Sequence, residues 1–215
     1  MKQESKVIDI QNWKRKEHYE FFSKMDSPYF GVTAEVDCTK AYDFAKANNL
    51  SFFSYYLHKS MQAVNLVEEL KLRIIDNQVV LFDTIHAGCT IARQDETFGF
   101  SYIEFNSDYS TFNNDLQKEI LEVQNTSGLR LNNDDIDKNL IRHSTFPWHS
   151  FTSLLHPTSF GGSESVPKIV FGKYKIVDGK KMLPVSIEAH HGLADGFHLA
   201  KYFRLFQDFL NSEEF

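Results

Sequence analysis

Cysteine is scarce in these 215 residues, and long apolar runs are missing. Cys38 and Cys89 are too few and too isolated for a disulfide framework; they read as small buried hydrophobes and fit a reducing cytosol. No stretch approaches the ~18 apolar residues that a membrane span needs, and MKQESKVIDIQNW lacks the apolar centre of a signal peptide. A cytoplasmic location is the expectation. Positive charge is also short. The net charge is -6, and basic residues such as Lys14, Arg15 and Lys16, or Lys180 and Lys181, form no long stripe for nucleic acid or anionic membrane. Internal repeats and low-complexity tracts are absent. So are GxGxxG and P-loop patterns, which leaves dinucleotide binding and NTP hydrolysis without support.

What is present is material for a core: 42% hydrophobic residues, including 20 phenylalanines. The length favours one domain spanning 1–215. Asn12 is a candidate cap for a helix from Trp13 to Met25, ended by Ser27-Pro28. Tyr29 to Cys38 alternates as a strand, and Thr39 and Ser51 are candidate caps for two helices, the second over Phe52 to Val67. Asp76-Asn77-Gln78 and Asp178-Gly179 read as hairpin turns. Strands are expected in Gly88–Arg93, Thr97–Phe105, Lys168–Val177 and Lys181–Glu188, with Leu140 to Leu155 strand-rich. Asp108 to Gln124 has helical spacing, Asn125 to Lys138 is loop-like, and Asp195 or Gly196 opens a last helix. Hairpins coexist with crossovers, so the expected class is α/β, a two-layer sandwich of a mixed sheet covered by helices.

One block concentrates the chemistry: His190-His191-Gly192-Leu193-Ala194-Asp195-Gly196-Phe197-His198. It falls where a hairpin strand ends and the last helix begins, a place where a rigid strand can hold an imidazole at a cleft. A neutral imidazole removes protons near pH 7. His191 is then the base, and Asp195 its positioner or a structural anchor. The competing readings are strand-end histidines beside a helix cap, and a metal set of His190, His191, Asp195 and His198. Adjacent strand residues point to opposite faces, which weighs against a shared ion. A Ser/His/Asp hydrolase could draw on Ser144 or Ser150, but no GxSxG elbow marks a nucleophile, and Gly161-Gly162-Ser163 does not replace one.

His-His-x-x-x-Asp-Gly resembles the signature of the chloramphenicol acetyltransferase-like superfamily of coenzyme A-dependent acyltransferases. That signature also occurs in condensation domains and, in related form, in the acyltransferase cores of 2-oxo-acid dehydrogenases. Further segments resemble chloramphenicol acetyltransferases in order and spacing: Trp13-Lys14-Arg15-Lys16-Glu17-His18-Tyr19, Asp95-Glu96-Thr97-Phe98, Pro147-Trp148-His149-Ser150-Phe151-Thr152-Ser153, Phe171-Gly172-Lys173-Tyr174 and Leu183-Pro184. The resemblance covers essentially the whole chain.

The resemblance implies acetyl transfer from acetyl-coenzyme A to a hydroxyl of chloramphenicol or a similar acceptor, without a metal or a covalent nucleophile. It makes His191 the general base, its Nδ1 proton held by its own backbone carbonyl. Asp195 pairs with Arg15, and Ser144 donates to the oxyanion. Lys173 and Tyr174 border the coenzyme A channel, while Phe22, Phe30 and Phe98 line the acceptor pocket. It implies a homotrimer with active sites between subunits. Four positions depart from the family: Ala194 for cysteine, Val170 for threonine, Glu188 for glutamine, and Arg142 for asparagine near the acceptor. A different hydroxyl or amine acceptor, or a catalytically weak binding protein, are the alternatives these departures raise.

Overall fold

The computed structural model describes residues 5–131, 139–158, 164–212 and 214; Gly161-Gly162-Ser163 and 132–138 of the loop-like stretch lie outside them. Two sheets form. The larger has seven strands: β2 (Tyr29–Asp37), β5 (His86–Ala92), β6 (Phe98–Ile103), β7 (Leu140–Phe146), β8 (Lys168–Gly172), β9 (Lys175–Val177) and β10 (Lys180–His190). Their order is β2-β10-β8-β7-β5-β6, with β9 paired to β10. β7 runs parallel to both β5 and β8, and the other pairs are antiparallel. Parallel neighbours need long crossovers, and the β5-to-β7 connection contains β6 and helix α4 (Tyr109–Gln124). The smaller sheet orders β1 (Ser5–Val7), β4 (Gln78–Phe82) and β3 (Leu72–Ile75).

α2 (Thr39–Ala47), α3 (Phe52–Asn65), α4 and α5 (Gly196–Asn211) contribute to one core with the large sheet. Val185, Ile187 and Ala189 of β10 join Ile169 and Phe171 of β8 and Tyr202 and Phe206 of α5 in that core. Burying each large side chain contributes ~1.5–3 kcal/mol. The alternate residues Ser186 and Glu188 project to the opposite face, yet β10 is buried there too. Segment 147–158 lies over it. Phe151 sits so close to Gly172 and Pro184 that a Cβ on Gly172 would approach both rings within 2.8 Å. The mixed sheet under helices is the α/β sandwich expected from sequence.

Three local expectations need correction. No helix spans Trp13 to Met25. Asp9 caps a 3₁₀ turn at Ile10–Asn12, and the Asn12 amide donates to Asp9 instead of capping a longer helix. α1 (Lys16–Phe22) starts only after Arg15, whose side chain is committed elsewhere. Cys38, not Thr39, precedes α2; the Thr39 hydroxyl donates to Asp37 and accepts from the Lys181 amide. β7 stops at Phe146, before Pro147, so the strand-rich stretch to Leu155 is mostly irregular. Both hairpin turns have the expected form: Asp76 and Asn77, and Asp178 and Gly179, all have positive φ, the primed-turn geometry.

Candidate active site

β10 ends at His190, and the chain turns through His191 into Asp195, the N-cap of α5. The His191 amide donates to the Pro28 carbonyl at 2.8 Å, pinning the turn to the start of β2. Its Nδ1 lies 3.2 Å from the Ala194 carbonyl oxygen. A carbonyl can only accept, so this contact assigns the ring proton to Nδ1 and leaves the Nε2 lone pair available. The carbonyl is Ala194's and not His191's own, as the family resemblance implied. His191's own carbonyl accepts from Arg15 Nη2 at 3.1 Å.

The imidazole is sandwiched. Phe22 from α1 stacks on one side at 4.0 Å and 6°, and Phe30 from β2 stacks at 4.2 Å and 28°. Arg15 Nη1 donates to Asp195 Oδ2 at 2.6 Å, while Asp195 Oδ1 accepts from the Phe197 amide. Burial pushes the Asp195 carboxyl up, but Arg15 and His198 hold it below its ordinary range. His198 closes the cap by accepting the Asp195 amide at Nδ1, and its Nε2 reaches Glu69 at 3.1 Å. His190 points into the protein: burial lowers its pKa to about 4, and its Nδ1 accepts the Gly192 amide. A Cβ on Gly192 would sit 3.0 Å from the His190 ring and 3.2 Å from Tyr19, so only glycine fits without displacement.

A second set of residues lies on the open face of the large sheet. Directly paired residues share a face, so Glu188, Lys168 and Arg142 form one row, and Thr33, Ser186, Val170 and Ser144 the next. Ser144 and Thr90 hydroxyls are 3.1 Å apart, and Thr33 donates to Ser186 at 3.0 Å. Over this face is a cavity of about 720 Å3 bordered by Ser144, Arg142, Phe98, Val170 and Trp148. Beside it, a cavity of about 590 Å3 is bordered by Lys173, Tyr174, Phe52 and Tyr56. The two share Thr90, Ala92, Thr145 and Trp148.

His191, Phe22 and Phe30 border neither cavity. Ser144 is separated from β10 by β8, and His191 lies beyond Ser186, Ser144's row-mate. At ~3.3 Å per residue along a strand and ~4.8 Å between strands, His191 and Ser144 of one chain are roughly 15–20 Å apart. Sequence reading did not anticipate Thr90, whose signal, an isolated threonine on an alternating strand, is generic. Nor did it anticipate His156, whose amide and Nδ1 both meet the Glu188 carboxylate.

A helix-covered mixed sheet with a histidine beyond the end of its longest strand, a cavity over its helix-free face and an adjoining cavity that reaches to α3 and α4 fits an acyltransferase of the two-layer α/β type. The chain matches the chloramphenicol acetyltransferase family model over residues 4–207 and belongs to that family. A solved chloramphenicol acetyltransferase superposes with a TM-score of 0.91 at 31% identity, covering 97% of this chain and 100% of the other. Chloramphenicol acetyltransferase 3 of Escherichia coli is 26% identical over 207 residues, 96% of this chain and 97% of its own. The Campylobacter coli chloramphenicol acetyltransferase is 29% identical over 206 residues, 95% and 97% respectively.

Proposed function

We infer that this chain, as one domain over 1–215, transfers an acetyl group from acetyl-coenzyme A to a hydroxyl of chloramphenicol or a similar small acceptor. The observation that carries the reading is the pair of cavities meeting at Thr90, Thr145 and Trp148. Direct transfer needs donor and acceptor present together, and two adjoining pockets supply that.

The residues bordering the smaller cavity fit the donor. Lys173 offers a cation for phosphate, and Tyr174, Phe52 and Tyr56 offer aromatic faces for a base or a pantetheine arm. Bound there, acetyl-coenzyme A supplies the activated acyl group. The larger cavity takes the acceptor, with Phe98 and Arg142 on its wall. Ser144 donates a hydrogen bond where negative charge develops on the acyl oxygen. His191 Nε2 takes the proton of the attacking hydroxyl and returns it to the leaving thiol. Phe22 and Phe30 stabilise the imidazolium through their ring faces, and Arg15 with Asp195 holds the turn that aims it.

His191 and Ser144 are too far apart within one chain to serve one reaction, which supports an active site completed by a neighbour in a homotrimer. No helix among the described residues is long and apolar enough to cross a membrane. The reading includes a cytoplasmic location, where the acyl donor is available.

The purified protein should release free thiol from acetyl-coenzyme A when chloramphenicol is added. His191→Ala should lower kcat by about 10²–10⁴-fold, the worth of a placed general base, with the circular dichroism spectrum unchanged. Wild-type turnover in a folded His191→Ala protein would exclude His191 as the base.

A further inference from the structure

The wall of the acceptor-side cavity carries cations and no carboxylate among its described residues: Arg130, Arg142 and Lys168 border it, with His156 beside them. The carboxylates that pair with these cations are not among the residues bordering the cavity. Arg130 is taken by Glu119 and Glu122, and its role is to tie 125–131 to α4. Lys168 is almost fully buried, its ammonium held by the Pro157 carbonyl, the Thr158 hydroxyl and Glu164. Glu188, its neighbour across the strands, accepts from the His156 amide and meets His156 Nδ1.

Arg142 is different. Its side chain is 45% exposed, and it makes one hydrogen bond among the described residues, from Nη1 to Glu164 at 3.2 Å. Glu164 also faces Lys168, so its single carboxylate lies against two cations. Arg142 borders the cavity on the row adjacent to Ser144, and Nη1 to Glu164 is the one hydrogen bond its guanidinium makes among the described residues. A planar fork with spare donors matches a carboxylate in two-point geometry, and a lysine behind it adds to the positive potential.

We propose that the acceptor of this enzyme carries a carboxylate that docks on Arg142 at the wall of this cavity. The proposal rests on the larger cavity being the acceptor site. It narrows the acceptor, within the hydroxyl compounds of the proposed function, to those that also carry an anionic group the cavity prefers, and makes Arg142 the residue that confers the preference.

The test uses two acceptors sharing the nitrophenyl-propanediol of chloramphenicol with both hydroxyls free. In one the amine is N-succinylated and ends in a carboxylate; in the other it ends in the corresponding neutral carboxamide. Calorimetric titration of the full chain without acetyl-coenzyme A reads binding independently of turnover. Wild type should bind the carboxylate about tenfold more tightly than the carboxamide, as expected for one charge-assisted pair. That advantage should shrink with added salt. Arg142→Gln should bring the two ligands within about twofold of each other. Equal or weaker binding of the carboxylate by wild type, or an advantage that survives Arg142→Gln, overturns the proposal. Thiol release with both ligands and with chloramphenicol is measured separately. Its absence with all three would defeat the acetyl-transfer reading while leaving the carboxylate preference readable from the titration.

Discussion

Val170 lies between two hydroxyls, Ser186 on one strand and Ser144 on the other, in a row that continues to Thr33 and Thr90. A threonine there is nearly the same shape and has partners on both sides. Val170→Thr should raise kcat by roughly two- to tenfold by adding a donor near the acyl oxygen, directly or through water. Steady-state kinetics that show no gain would mean Ser144 suffices alone. Ser144→Ala, in contrast, should lower kcat by about 10²–10³-fold, the usual loss for one such donor. Ala194 is easier to understand than its departure from the family suggests. It serves His191 through its backbone carbonyl, which is indifferent to the side chain, and that side chain is buried.

At the level of elements, Arg15 joins the entry of α1 to the N-terminus of α5 and holds the turn between β10 and α5. Asp195 is at once the cap of α5 and the counter-ion of an almost buried guanidinium. Asp195→Ala should therefore cost the cap, ~0.5–2 kcal/mol, and leave Arg15 unpaired, for which ~3–5 kcal/mol is typical of a buried pair and less is expected with Asp195 partly exposed. Denaturant titration should show the loss and kinetics a lower kcat. Because the Asp195 pKa is depressed on folding, its contribution is present above the unfolded value of ~3.9 and is lost as pH falls through the folded one. The gap between wild type and Asp195→Asn should close on acidification below about pH 4. Sequence patterning located these elements well where one interaction dominates. Asp178-Gly179 dictates a turn by backbone sterics, and Asp108 caps α4 with a side chain that has no rival partner. It misplaced α1 because Arg15 is used by residues far along the chain, which no local pattern records. The same holds for the site. The histidine block and Ser144 stand out in the sequence as candidates for chemistry, whereas the place of Phe22 and Phe30 against His191 emerges only once α1 and β2 are packed.

The whole molecule keeps several histidines out of solvent. Burial lowers the pKa of His143 to about 3 and of His190 to about 4, and lowers His58, His86 and His198 too. These groups refuse protons that the unfolded chain accepts near its ordinary pKa of ~6.5, so stability should fall as pH drops below that value. Unfolding free energy measured from pH 7 to 4 should slope downward toward acid, and His190→Gln should flatten part of that slope. A flat profile would mean that these imidazoles are solvated. Sedimentation should give three times the chain mass if the site is shared as inferred. The wide spacing of His191 and Ser144 then has a genetic consequence. His191→Ala and Ser144→Ala each spoil a different half of the site, and neither protein alone should work. Unfolded together and refolded at equal amounts, they should recover about one quarter of wild-type activity, because random assembly reunites an intact histidine with an intact serine at that frequency. Two defective alleles in one cell would complement each other.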